Sequence, residues 1–354
     1  MGSVKRVVVL EEPEENKMGV GAFYFSDDYS VFDWGKMPDT IKDKGKALNI
    51  MSAAVFEAAE KEGINTHYVG VDAFYYRPKI KVLDLTQPTR VMQVKLVRVV
   101  KPEIVNGKYN YDEYHAQGNN TVLIPLEVIY RNSLPKGSSV FRRLDKGQTT
   151  YQELGLDHMP VPGEILDKPI LDVSTKLEET GDRYLSWNEA AEIAGLSEND
   201  LNGVKEILMQ TNDLITRFAE KLNLYNADGK IELAYDDKGN IMLVDVLGTL
   251  DECRFLYQNG DEQIHVSKQV ARDFYKTTKW YDDVTKTKDL AEKQGIEEWR
   301  TLCPSQPEKL PNDFKEIIEN MYMATANEMS ENYLFEVPSL QETINQYINW
   351  KEKN

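Results

Sequence analysis

The sequence predicts an α+β protein with two lobes, a small and mainly antiparallel β lobe followed by a larger, mixed and helix-rich lobe. Short β-rich runs dominate the first third of the chain. Helical patterns that begin with capping boxes dominate from about residue 186 onward. Strands first and helices later are typical of α+β architecture. We therefore expect an N-terminal lobe over residues 1–122 and a C-terminal lobe over 123–354.

Composition limits the kinds of protein that this chain can be. Its 354 residues are 41% hydrophobic and 29% charged, which is ordinary for a globular protein of one large or two smaller units. No apolar run is long enough to span a membrane, and the N-terminus lacks the apolar core of a signal peptide. The sequence thus predicts a cytoplasmic protein.

Charge and metal-ligand types exclude further classes. The net charge of −17 repels phosphate backbones, so nucleic acid is not an expected partner. Only Cys253 and Cys303 occur, and the four histidines are scattered, which argues against a disulfide framework or a zinc site. Cations in so acidic a chain are therefore candidates for binding anionic substrates.

The elements of the first lobe follow from local patterns. Helical spacing of Leu48, Met51, Val55 and Ala59 predicts a helix that Gly63 ends. The segment 101–120 reads as an insertion or a hairpin with a long tip. In chain order, we expect strands over 4–11 and 22–27, a helix over 46–62, and strands over 69–73, 80–85 and 90–100.

The second lobe begins with a buried strand over 123–130, and a Pro- and Gly-containing stretch over 132–185 is predicted to be mostly loop. Capping boxes predict helices that start after Ser186 and Ser197, the second reaching about residue 222. A hairpin over 228–247 and further helices follow, and Ser339 with Glu342 caps the last helix.

The hairpin is the most informative stretch. If Lys238 and Gly239 form a two-residue turn, Glu232 lies directly opposite Asp245. Opposed carboxylates cost stability, and a divalent cation between them would relieve that cost. Asp228, Lys230 and Glu232 share one strand face because side chains alternate. The alternative is a solvated hairpin face, and a three-residue loop would shift the register by one.

Several short segments carry a wider resemblance, and each alone is weakly specific. In order they are Ser-Val-Phe-Asp at 30–33, Lys-Gly-Lys-Ala-Leu-Asn at 44–49, Ile-Pro-Leu-Glu-Val-Ile-Tyr-Arg-Asn at 124–132, Gly-Ser at 137–138, Asp-Gly-Lys-Ile-Glu at 228–232, Leu-Val-Asp at 243–245 with Arg254, and Ser-Lys-Gln-Val-Ala-Arg-Asp at 267–273. Their order and their spread over about residues 4–280 resemble the SAICAR synthetase (phosphoribosylaminoimidazole-succinocarboxamide synthase) family.

That resemblance implies an ATP-dependent ligase of de novo purine biosynthesis with ATP and Mg²⁺ as cofactors. Its substrates would be carboxyaminoimidazole ribonucleotide and L-aspartate, joined through an acyl phosphate in a cleft between the two lobes. The products would be SAICAR, ADP and phosphate.

The resemblance also implies roles for individual residues. It implies Glu232 and Asp245 as metal ligands, Lys230 and Asp228 as catalytic residues, Lys5, Lys95 and Glu127 at the nucleotide, and Arg131, Ser138, Arg254, Lys44, Ser30, Asp33, Lys268 and Arg272 at the substrates. The spacing of Lys268, Arg272 and Lys276 independently predicts a cationic helix face.

Alternatives remain open for several of these residues. Arg131 could instead form a buried ion pair, and Lys230 could simply neutralise its acidic neighbours. Lys17 or the turn at 19–21 could replace Lys5 as the phosphate ligand, because the family's opening strand is only partly matched.

Two other functions fit parts of the pattern. A kinase-like phosphotransferase would also use a β lobe, a strand lysine and a metal-binding hairpin, although the chain lacks His-Arg-Asp and Asp-Phe-Gly motifs. A nucleotide-binding protein that has lost ligase activity is the third reading, which the retained Lys230, Glu232 and Asp245 disfavour. A homo-oligomer is compatible with the sequence, which does not specify the oligomeric state.

Overall fold

The computed structural model describes residues 4–72, 80–179, 181–296 and 298–354. The strands in these ranges are β1 Lys5–Glu11, β2 Gly19–Phe25, β3 Tyr68–Val71, β4 Val91–Leu96, β5 Glu103–Val105, β6 Lys108–Asn110, β7 Val122–Leu134, β8 Glu164–Thr175, β9 Tyr225–Tyr235, β10 Ile241–Val244, β11 Cys253–Asn259 and β12 Glu262–Val266. The α-helices are α1 Lys44–Lys61, α2 Asp112–Ala116, α3 Ser139–Asp145, α4 Trp187–Ala194, α5 Glu198–Lys221, α6 Gln269–Tyr275, α7 Lys279–Gln294, α8 Asn312–Ser330 and α9 Leu340–Lys353.

Two antiparallel sheets organise the chain. The first has the order β1-β2-β4-β3, and the second has the order β12-β11-β9-β7-β8, with β10 also paired to β9. All strands of the first sheet precede residue 100, and all strands of the second follow residue 121. The predicted α+β class is therefore confirmed, and β9 lies at the centre of the second sheet.

Helix α1 is the central packing element. It contacts the first sheet on one side and α5 and α8 on others, and most of its side chains are buried. Gly45 allows the start of this helix to approach β2, because an added Cβ would lie 2.7 Å from the carbonyl oxygens of Phe25 and Ser26. The helix thus brings Lys44 from the end of the first sheet into the interior.

The predicted helix starts are confirmed where the signal is local. Ser186, Ser197 and Ser339 each cap a helix with a reciprocal capping box. Residues 101–120 contain the hairpin β5-β6 and helix α2, so a hairpin is present, but its tip is only two residues and not long as predicted. No helix in the described ranges is long and apolar enough to cross a membrane.

The strand predicted over 80–85 is wrong. Residue 80 forms only an isolated bridge, and Val82–Asp84 is a short 3-10 turn. Side chains satisfy this backbone instead of a neighbouring strand, since Glu57 accepts from the Val82 amide and Asn332 donates to the Val82 and Leu85 carbonyls. The strand predicted over 69–73 corresponds to β3, and residue 73 lies outside the described residues.

The prediction that 132–185 is mostly loop is also wrong in part. It contains α3 and the twelve-residue strand β8, which pairs with β7 along most of its length. Only the second half of β8 is buried, and Pro169 interrupts the strand, so its sequence shows no clean alternation. Pairing with the long, buried β7 provides the stabilisation that the local pattern does not reveal.

Candidate functional site

The register of the β9-β10 hairpin differs from the predicted one. Glu232 pairs with Val244, not with Asp245. The loop has three residues because the Asp236 carboxylate accepts from the amides of Lys238 and Asn240, and Gly239 takes a positive φ of 77°. The shift by one residue is therefore a property of the turn.

Opposed carboxylates nevertheless occur at Glu232, with a different partner. Its cross-strand neighbour is Glu127 on β7, and both side chains are buried. The Lys176 amine lies 2.7 Å from a carboxylate oxygen of each. Burial and the nearby charge of Asp245 raise the pKa of Glu232 to about 7, whereas the charges of Lys230 and Lys176 outweigh burial and lower the pKa of Glu127. Lys176 thus holds two like charges together.

Asp245 follows the end of β10 in a left-handed conformation with a φ of 67°. Its carboxylate pairs with the Lys5 amine from β1. Burial alone would raise the pKa of Asp245, but the charge of Lys5 lowers it to about 2. The buried His67 ring contacts the Asp245 carbonyl oxygen at 3.1 Å through Nε2, and burial lowers the pKa of His67 to about 4. Lys5 therefore holds the carboxylate of Asp245, while the neutral imidazole of His67 contacts its main-chain carbonyl.

Glu232 and Asp245 can bind a cation, although protein side chains alone would not complete its coordination shell. Among the described residues, no group of three or more His, Cys, Asp or Glu side chains is arranged as a metal site. Mg²⁺ commonly uses one or two carboxylates and completes its shell with water and substrate phosphates. Glu232 and Asp245 are two such carboxylates and lie close enough for their charges to interact, and burial together with the charge of Asp245 raises the pKa of Glu232.

A line of alternating charges crosses three adjacent strands of the second sheet. Asp228 on β9 is the cross-strand neighbour of both Arg131 on β7 and Arg254 on β11. Arg254 donates to Asp228 from Nε at 2.8 Å, and the Arg131 guanidinium lies 3.7 Å from the same carboxylate. The sheet register itself therefore aligns these three side chains, which we call the charge row.

Lys230 lies beside the charge row on the same face of β9. Its amine contacts Glu127 at 2.9 Å and Glu252 at 3.3 Å. Burial disfavours its charge, but Glu252 and Glu127 raise the pKa of Lys230 well above its usual range. The two carboxylates thus favour the charged form of Lys230.

Arg131 and Ser138 are both engaged within the protein. Arg131 is 2% exposed and pairs with Asp172 at 3.0 Å, and Arg143 binds the same carboxylate. The Ser138 hydroxyl is buried and caps α3 by accepting from the Val140 amide. Arg254 is the more accessible of the two charge-row guanidiniums, with 19% of its side chain exposed against 3% for Arg131.

A cleft of about 510 Å³ lies between the first sheet and the β9-β10 hairpin, and we call it the hairpin pocket. Its wall from the first sheet is largely apolar, and its other side carries charged groups. The apolar lining residues are Val7, Val9, Pro13, Phe23, Leu96, Val97, Val99, Leu123 and Val244, and the polar ones include Lys95, His67, Glu232 and Asp245.

A second cavity of about 280 Å³, the loop pocket, brings together four residues predicted to bind substrate, namely Ser30, Asp33, Lys44 and Lys268. Lys44 is almost fully buried and pairs with Asp251 at 2.6 Å. Burial lowers the pKa of Lys268, and within the described part of the chain no carboxylate lies within 4.0 Å of its amine.

Glu252 also lines the loop pocket, so the Lys230–Glu252 pair connects this pocket to the carboxylates of the hairpin pocket.

The predicted cationic helix face is shorter than expected. Helix α6 spans only Gln269–Tyr275, so Lys268 and Lys276 are its flanking residues. Arg272 lies outside the lining of the loop pocket. Burial and the nearby Arg254 lower the pKa of Arg272, which shows that its charge is poorly compensated.

Sequence reasoning missed several residues of this site. Lys176 lies directly after β8, in the stretch predicted as loop, and no local pattern indicates its position between two carboxylates. Asp172 is missed for the same reason. Glu252 and Asp251 directly precede the strand that carries Arg254, and this adjacency is a signal that could have identified them.

Comparisons with known proteins agree on one family. The family model described as SAICAR synthetase matches residues 2–288. A putative phosphoribosylaminoimidazole-succinocarboxamide synthase of Archaeoglobus fulgidus is 44% identical over 347 residues, which are 98% of each chain. A phosphoribosylaminoimidazole-succinocarboxamide synthase of Thermoplasma acidophilum is 30% identical over 303 residues, which cover 85% of this chain and 90% of that one.

Solved structures have the same fold. The SAICAR synthase from Saccharomyces cerevisiae complexed with SAICAR gives a TM-score of 0.59 at 22% identity and covers 94% of this chain and 93% of its own. A SAICAR synthetase in complex with ADP gives a TM-score of 0.55 at 21% identity and covers 87% and 99%. The two antiparallel sheets and the helices packed against them thus define the α+β fold that these structures share. The chain is a member of the SAICAR synthetase family.

Proposed function

We propose that the protein ligates L-aspartate to carboxyaminoimidazole ribonucleotide at the expense of ATP, giving SAICAR, ADP and phosphate. The observation that supports this best is that two pockets with different linings are connected. The hairpin pocket combines an apolar wall with paired carboxylates, and charged side chains link it to the loop pocket. Family membership then favours this ligation over other ATP-dependent reactions.

The hairpin pocket suits a nucleotide. The apolar side chains of β1 and β4 would cover the adenine ring, with the phosphates toward Lys95 and the Glu232–Asp245 end. Lys5 neutralises Asp245 in the free protein and would turn to phosphate once a cation takes that carboxylate. This assignment keeps the nucleotide at the boundary of the proposed 1–122 and 123–354 lobes.

Glu232 and Asp245 would hold Mg²⁺, which supplies charge neutralisation of the ATP phosphates when bound. Glu127 belongs to the same cluster through Lys176, so its proposed role at the nucleotide is to keep that lysine in place. The protein's own contribution would be to bring these carboxylates together, with Lys5 at Asp245 and Lys176 at Glu232.

The ribonucleotide would lie along the charge row. Arg254 is the accessible donor for its 5′-phosphate, while Arg131 and Ser138 support the surrounding strand and helix. Asp228 would act by orienting Arg254, and Lys230 would stabilise the negative charge of the substrate carboxylate as it is phosphorylated. Attack of the aspartate amine on the acyl phosphate forms the amide bond and releases phosphate.

The test is ADP release from ATP measured with each substrate omitted in turn. We expect ADP release only when the ribonucleotide and aspartate are both present. ADP release with the ribonucleotide alone would instead indicate a phosphotransferase, and nucleotide binding without turnover would indicate lost ligase activity. A cytoplasmic location stays a prediction from the sequence.

A further inference from the structure

The chain beyond the family match forms part of the loop pocket. The match ends at residue 288, yet Arg300 and Tyr322 line the same cavity as Lys44 and Lys268. Residues 289–354 therefore contribute to the candidate site as well as to the helical packing around it. The contacts of Arg300 and Tyr322 indicate what each contributes.

Tyr322 on α8 holds a buried carboxylate in a fixed orientation. Its hydroxyl donates to Oδ1 of Asp251 at 2.6 Å, while the Lys44 amine donates to Oδ2 of the same residue at 2.6 Å. The Lys44 amine also lies 5.4 Å from the centre of the tyrosine ring. Tyr322 is 1% exposed, so removing its hydroxyl would leave one carboxylate oxygen unsatisfied in the interior.

Arg300 holds the loop that carries Ser30 and Asp33. Its Nε donates to the Asp33 carbonyl oxygen at 2.8 Å. Phe32 and Asp33 both adopt left-handed backbone conformations, with φ of 54° and 58°, which cost roughly 1–2 kcal/mol each for residues other than glycine. The Arg300 contact offsets part of that cost and sets the position of the loop over the pocket.

The charges around the loop pocket balance. Its lining contains three acids and three bases, namely Asp33, Asp251, Glu252, Lys44, Lys268 and Arg300. Such a lining suits a small ligand that carries both signs of charge, as an amino acid does, better than it suits a polyphosphate. Among the described residues, no carboxylate lies within 4.0 Å of the Lys268 amine or the Arg300 guanidinium, which leaves two cations for a ligand with two carboxylates.

We propose that Arg300 and Tyr322 are specificity-determining residues for the amino-acid substrate, an aminodicarboxylate, and that the segment after residue 288 is part of the active site. This inference rests on the proposed function. Arg300 contacts a carboxylate of the amino acid, and Tyr322 acts as a positioning residue through Asp251 and Lys44.

The experiment compares Michaelis constants for aspartate, ribonucleotide and ATP in four variants. Arg300→Ala should raise the aspartate KM about tenfold or more and change the other two constants less than about twofold. Arg300→Lys should recover part of that loss, and Tyr322→Phe should raise the aspartate KM about threefold to tenfold. Lys309→Ala, an exposed cation of the same segment, is the matched control and should match the wild type.

Three results would overturn the inference while leaving the proposed function intact. They are an unchanged aspartate KM in Arg300→Ala, an equal rise of all three constants, and a loss in Arg300→Ala that lysine does not reduce. By contrast, a wild-type enzyme that uses no aspartate at all would refute the proposed function itself. The two failures are thus separated by the wild-type measurement, which is made first.

Discussion

Replacing Lys176 by methionine should destabilise the protein in a pH-dependent way. The substitution keeps the length of the side chain and removes the cation between Glu127 and Glu232. Breaking a buried ion pair from one side costs about 3–5 kcal/mol. We expect about 3 kcal/mol at pH 8, the lower end of that range, because 26% of the Lys176 side chain is exposed and Lys230 still neutralises Glu127.

The pH dependence follows from Glu232. Its pKa of about 7 lies above the usual 4.5, so the folded state binds a proton that the unfolded state lacks, and stability falls as the pH rises from 4.5 to 7. Without Lys176 this pKa rises further. Between pH 8 and pH 6 the variant should therefore regain about 1.4 kcal/mol more than the wild type, the value of one pH unit for one proton.

Urea unfolding at pH 6, 7 and 8 measures both effects. Lys168→Met on strand β8, which directly precedes Lys176, removes an exposed lysine and serves as the matched control, for which we expect no change beyond about 0.5 kcal/mol. The reasoning is refuted if Lys176→Met unfolds at the wild-type urea concentration, or if its deficit is the same at pH 6 and pH 8.

Three further predictions concern catalysis. Glu232→Gln and Asp245→Asn should each lower turnover by a factor on the order of 100 or more, because each removes a charge from the proposed cation site, and full activity at limiting magnesium would contradict this. Arg254→Ala should weaken ribonucleotide binding by about 1.5–3 kcal/mol while the ATP and aspartate constants stay nearly unchanged, and an equal rise in all three would indicate misfolding instead. Arg272→Ala should release more ADP than product, because a less ordered cleft admits water to the acyl phosphate. A ratio of ADP to product of one, with unchanged affinity for both anionic substrates, would show that Arg272 has no such role.

Local signals in the sequence predicted the fold well where the structure is itself local. The capping boxes at Ser186, Ser197 and Ser339 depend on side chains three residues apart, and all three form as expected. Strand β8 and the turn at Val82–Asp84 depend on partners far along the chain, so a short window of sequence misjudges both.

In the candidate site, too, features set by local geometry were predicted correctly and features set by distant partners were not. Alternation along β9 correctly grouped Asp228, Lys230 and Glu232 on one face, because strand geometry alone determines it. The residue of β10 that pairs with Glu232 was predicted wrongly, because it depends on the loop length that Asp236 sets by accepting backbone amides. Glu232 and Asp245 are still close enough for their charges to interact, although they are not the directly opposed cross-strand pair that was predicted.

The charge row has a consequence for how the protein tolerates change. Its three charged groups belong to neighbouring strands, so the hydrogen-bonded ladder of the sheet determines their spacing at about 4.8 Å. Deleting one residue from β9 would turn every side chain beyond that point to the opposite face, whereas exchanging a side chain leaves its neighbours in place. Natural variation in this strand should therefore consist of substitutions without insertions or deletions, and its central amides should be among the slowest in the chain to exchange with deuterium.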